Sequence, residues 1–119
     1  MNYFKPEDFK CKCGQCDGGS MDAVFLEDLF KARELAQTPY VITSAYRCKE
    51  HNRKVGGKEN SAHLRGRAVD IKLPTSQSAF KVIKSLMDVG FVRIGYNSKY
   101  HFVHVDNDPT LPQGVFFDY

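Results

Sequence analysis

Apolar positions along the chain follow two periods. Phe25, Leu29, Ala32 and Ala36 recur at three- and four-residue spacing, with Leu26 and Phe30 beside them. That spacing predicts an amphipathic helix from about Met21 to Ala36, with Ser20 as its N-cap. Ala79, Val82, Ile83, Leu86 and Met87 repeat the pattern and predict a second helix, capped by Thr75 or Ser76 and stopped by Gly90. Elsewhere the pattern shortens to that of strands. Tyr40–Tyr46 is β-branched and aromatic, and Ala68–Leu73 is apolar and closed by Pro74. Phe91–Tyr96 and about His101–Val105 flank Asn97-Ser98-Lys99, which reads as a hairpin turn. Val115–Phe117 reads as a further edge strand. Residues 49–60 are polar and contain Gly56-Gly57, so a short helix or loop followed by a turn is predicted there.

The resulting order is helix, strand, loop, strand, helix, strand, strand. It predicts an α+β fold with a small, largely antiparallel sheet and flanking helices. A length of 119 residues suits one domain, 1–119, with residues 1–19 as an irregular lead-in rich in Cys, Gly and Lys. A monomer is expected. The net charge of +3 comes from scattered Lys and Arg, without the dense basic stripe of a nucleic-acid binder. No apolar run is long enough to span a bilayer. The start, MNYFKPEDFK, lacks the apolar stretch of a signal peptide. Synthesis in the cytosol is therefore expected, and any substrate outside would be reached after release.

Polar residues interrupt the apolar strands at a few positions. Asp70 stands between Val69 and Ile71, and a bare carboxylate buried there needs a metal, a cation or several donors. His104 and Asp106 share one face of the strand His101–Val105 and its extension. His63 lies on the loop that leads into the strand of Asp70. Two histidines and an aspartate brought together by adjacent strands would suit a divalent metal with an open position for water.

The segments Ser61-Ala62-His63 through Asp70 and His104-Val105-Asp106 resemble the zinc D-alanyl-D-alanine carboxypeptidases and their relatives, which include phage endolysins and the hedgehog signalling domain. Ser44-Ala45-Tyr46-Arg47, His51-Asn52 and Val55-Gly56-Gly57 extend the likeness, which runs from about Tyr40 to Asp106. The resemblance implies a zinc peptidase acting on peptidoglycan peptides, either as a carboxypeptidase or as an endolysin-type endopeptidase. It implies one catalytic zinc on His63, Asp70 and His104. Arg47 would contact the substrate carbonyl or the charge that develops on it, and Ser61 would hydrogen-bond near the ligands or the substrate. Asp106 would orient a ligand histidine, and Glu50, His51 and Asn52 would shape the wall around Arg47. For the general base, many relatives place a carboxylate three residues before the last ligand, and others have a histidine nearby. Here that position holds His101, while Asn97 stands where hedgehog-like spacing would put a Glu. Because residues 101 and 104 point to opposite faces of a regular strand, His101 must precede the strand proper to act as the base. The alternative reading is a non-hydrolytic cell-wall binding module of the same fold.

Cys11, Cys13 and Cys16 fall within six residues, and Cys48 is distant. Their spacing is open to a structural metal site, to free thiols, or to a disulfide formed after release.

Overall fold

The computed structural model describes residues 3–119; Met1 and Asn2, at the start of the lead-in, lie outside the described residues. Asp22, two residues beyond the expected cap, starts the first helix, α1 (Ala23–Ala36), by accepting a 2.9 Å hydrogen bond from the Phe25 amide. α1 buries Phe25, Leu29, Ala32 and Ala36, the stripe read from the sequence, and ends on Gln37 in the left-handed region at φ 52°. α2 (Lys49–Lys54) is short and begins at Cys48. α3 (Ser76–Val89) opens with a reciprocal cap, in which the Thr75 hydroxyl accepts from the Ser78 amide and the Ser78 hydroxyl from the Thr75 amide, both at 3.0 Å. It ends at Gly90 and buries Val82, Ser85 and Leu86.

The strands are β1 (Val41–Ser44), β2 (Ala68–Lys72), β3 (Arg93–Asn97), β4 (Phe102–Asp106) and β5 (Val115–Asp118). They form one sheet in the order β1-β2-β4-β3-β5. Three pairings are antiparallel, while β5 runs parallel to β3, so the sheet is mixed. The fold is the expected α+β arrangement. Among the described residues, no helix is long and apolar enough to cross a membrane.

Alternation along the central strands separates core from site. Val69 and Ile71 of β2 and Val103 and Val105 of β4 are fully buried and join Phe25, Leu29, Val82 and Leu86 of the helices. Each such side chain contributes about 1.5–3 kcal/mol by leaving water. Because side chains alternate, Asp70, His104 and Asp106 point to the other face. The register sets Asp70 directly opposite His104, and Ala68 opposite Asp106. At the core margin the Tyr40 hydroxyl pairs with that of Ser85 on α3, which also donates to the Val82 carbonyl at 2.7 Å.

Candidate metal centre

His63 reaches the sheet from a single 3₁₀ turn, Ala62–Arg65. Ser61 caps that turn, its hydroxyl accepting from the His63 amide at 3.2 Å, and the His63 carbonyl accepts from the Arg47 amide at 3.1 Å. The His63 ring is fully buried. Its Nδ1 lies 2.6 Å from the Ala45 carbonyl oxygen, which can only accept, so Nδ1 carries the hydrogen. In the neutral ring Nε2 then presents a lone pair, and it faces Asp70 Oδ1 at 3.2 Å.

His104 repeats this arrangement with its nitrogens exchanged. Its Nε2 donates to Asp106 Oδ2 at 2.7 Å, leaving Nδ1 aimed at the same Asp70 Oδ1 at 3.1 Å. Three electron-pair donors therefore converge, and the ligating atoms of His63, Asp70 and His104 lie within 4.8 Å of one another. Such a cluster is repulsive unless a positive charge sits among its members. Two imidazole nitrogens and one carboxylate oxygen, each neutral ring fixed by a hydrogen bond on its far side, fit zinc with an open coordination position. Without a metal, protons supply the positive charge instead. Burial alone would raise the Asp70 carboxyl, yet hydrogen bonds from His104 and His63 in their protonated forms, and the charge of those rings, hold it well below the usual carboxylate range. Burial opposes charge on His104 as well, but hydrogen bonds to Asp106 and Asp70 raise its affinity for a proton.

Arg47 is buried beside this cluster. Its Nε donates to the Ser44 hydroxyl at 3.1 Å, Nη1 to Asn52 Oδ1 at 2.8 Å, and Nη2 faces Asp70 Oδ2 at 3.5 Å. Gly57 makes this packing feasible, since a Cβ there would overlap the Asn52 amide and the Arg47 guanidinium. Behind His104, Asp106 Oδ1 accepts from Arg93 Nε at 2.8 Å and from the Asp108 amide at 3.1 Å, and Asp108 in turn pairs with Arg65.

The cluster opens onto a cleft of about 850 Å³ whose walls include Arg47, Ser61, Asp70, His104 and Asp106. Lys12, His51, Phe117 and Tyr119 line it too. The Tyr119 ring stacks on His104 with centroids 4.5 Å apart at 16°, and Phe117 lies 5.9 Å from the same ring. Burial and the Asp70 charge push the Tyr119 phenol above its ordinary range, against the opposing influence of Arg47. Gly95, opposite His104 in the register, leaves the space that the Phe117 ring fills.

The structure thus gathers His63, Asp70, His104, Arg47, Ser61 and Asp106 into one place. His101 is placed differently. It is exposed, it adopts φ 57° in the turn before β4, and it is not among the residues that line the cleft. Its carbonyl accepts from the Leu73 amide at 2.8 Å, which fixes the backbone of that turn. Of the expected wall residues, Asn52 holds Arg47 and His51 lines the cleft, whereas Glu50 is exposed and lies outside the lining. Phe117, Tyr119 and Arg93 were not anticipated as parts of the site. The alternation Val115, Phe117, Tyr119 was a usable signal, because it places both rings on one strand face. The four cysteines, all free, form a second cluster, with Sγ atoms also within 4.8 Å of one another.

A His₂Asp cluster on the open face of a sheet, with a buried arginine beside it and a cleft in front, defines a candidate metallohydrolase centre. The family model described as Peptidase M15 matches residues 2–106, and the chain belongs to that family, the zinc-dependent D-Ala-D-Ala carboxypeptidase family. The match spans both clusters and Arg47 and ends before β5. No curated protein matches the chain.

Proposed function

We propose that this chain is a zinc peptidase that hydrolyses amide bonds in the peptide part of peptidoglycan, as a carboxypeptidase removing a terminal D-alanine or as an endopeptidase of the endolysin kind. One observation carries the reading: His63 Nε2, His104 Nδ1 and Asp70 Oδ1 converge beside a buried guanidinium, with Asp70 and His104 lining a cleft. Membership of the zinc-dependent family supports it.

His63, Asp70 and His104 would hold the zinc, which when bound supplies a Lewis acid and a water acidic enough to attack near neutral pH. Arg47 stays charged and donates in a planar fork, so it binds the oxygen of the scissile carbonyl and the negative charge that grows on it. The Ala45 carbonyl and the Asp106 carboxylate keep each ligand ring in one tautomer. Ser61 holds the turn that delivers His63. Tyr119 and Phe117 roof the cleft above His104 and keep water away from the reacting amide. Proton transfer from the attacking water to the leaving amine falls to a histidine, and its position in the cleft lining favours His51 over His101.

Purified peptidoglycan and stem peptides ending in D-Ala-D-Ala, incubated with the zinc-loaded protein and read by mass spectrometry, test the reading. Loss of single alanines identifies a carboxypeptidase, and shortened cross-linked fragments identify an endopeptidase. His63→Ala should abolish either product. Sedimentation with peptidoglycan and no product from wild type would replace the enzyme with a binding module. His51→Ala and His101→Ala, compared by pH–rate profile, assign the proton-transfer group.

A further inference from the structure

We propose that Cys11, Cys13, Cys16 and Cys48 form a second metal centre, a closed structural zinc site that clips the lead-in onto the wall of the cleft. The four Sγ atoms lie within 4.8 Å of one another, and none is tied up in a disulfide. Every sulfur also accepts a backbone amide. The Gln15 and Cys16 amides donate to Cys13, each at 3.3 Å, and the Gly18 amide to Cys16 at 3.4 Å. The Cys48 amide donates to Cys11 at 3.3 Å, and the His51 amide to Cys48 at 3.4 Å. Amides aimed at all members of a sulfur cluster suit thiolates, which are strong acceptors, far better than neutral thiols, which are weak ones. Four thiolates crowded together need a cation, and a four-sulfur set around zinc is complete, with no position left for substrate. The centre is therefore structural.

Its placement gives it a second consequence. Cys48 directly follows Arg47 and caps α2, which carries His51 and Asn52. Lys12, between two of the cysteines, lines the cleft. Apart from the cysteines, the lead-in is tied to this region by a 3.3 Å hydrogen bond from the Tyr46 amide to the Phe9 carbonyl. A metal on the four sulfurs cross-links residues 11–16 to residue 48, and so fixes Lys12, Arg47 and α2 relative to one another.

The full chain, purified under reductant and supplied with zinc, is analysed for metal per chain as wild type, His63→Ala and the double variant Cys13→Ser/Cys16→Ser. Wild type should hold two zinc ions and each variant one. Cobalt in place of zinc should give strong thiolate-to-metal absorption in wild type and in His63→Ala, and none in the cysteine variant. Should that variant fail to fold, wild type alone decides, through the cobalt absorption and the protection of its thiols from alkylation once zinc is bound. A single zinc that vanishes in His63→Ala, with freely reactive thiols and no thiolate absorption, would overturn the proposal. Full metal content retained in His63→Ala would count instead against the centre in the cleft.

Discussion

At Asp106 one carboxylate serves three partners, the ring of His104, the guanidinium of Arg93 and the Asp108 amide. Asp106→Asn preserves its shape but not its charge, and should weaken zinc binding about 10–100-fold, as measured by competition with a chromophoric chelator. Arg47→Lys keeps the charge and loses the fork. It should leave zinc content unchanged and lower kcat about 10²–10³-fold in steady-state peptide hydrolysis, so an unchanged kcat would remove Arg47 from the reaction. Asp70 and His104 were legible in the sequence because a polar group inside an apolar strand demands an explanation. His63 was legible only through its neighbours in the motif. The link from Asp106 through Asp108 to Arg65, and the stacking of Tyr119 on His104, join residues far apart in the chain. No spacing rule reaches them.

Among the elements, both long helices and the strand positions followed from periodicity, and their ends did not. Ser20 and Asp22 are both good caps by residue type. The choice is tertiary, since the Asp22 amide bonds to the Gly66 carbonyl at 2.8 Å and its carboxylate pairs with Arg67 at 3.3 Å. Asp22→Ala should cost about 1 kcal/mol in urea denaturation, and Ser20→Ala much less. The contact between Tyr40 and α3 predicts a response to alkali. Burial, only partly offset by the Ser85 hydrogen bond, pushes the Tyr40 phenol from the ordinary 10.0 up to about 12. The folded state thus keeps its proton longer than the unfolded chain. The resulting stability is complete below pH 10 and is lost as the pH climbs through about 12. Thermal melts of Tyr40→Phe should show a shallower fall over that window than wild type.

For the whole molecule, the α+β class was readable from the order of elements, but the parallel pairing of β5 with β3 was not. It joins two strands that are separated in sequence by β4 and a polar loop, and nothing local encodes the choice of edge. That pairing carries Phe117 and Tyr119 over the cleft, beyond the part of the chain that matches the family. Tyr119→Ala should therefore leave metal content at the wild-type level while slowing peptide turnover. Equal kinetics for the variant and wild type on several peptide lengths would show that the roof takes no part in recognition.

The pairing of Asp70 with His104 across β2 and β4 also bears on how the chain avoids misfolding. Sliding β2 by one residue would turn Asp70 toward Leu86 and Val82 and expose Val69 and Ile71 to water. Stripping a carboxylate of water without a partner costs several kcal/mol, roughly the margin by which small domains are stable. The residues that would hold the metal thus act as a proofreading mark for the sheet. Only the correctly aligned chain escapes the penalty, and the capacity for chemistry and the uniqueness of the fold rest on the same two side chains.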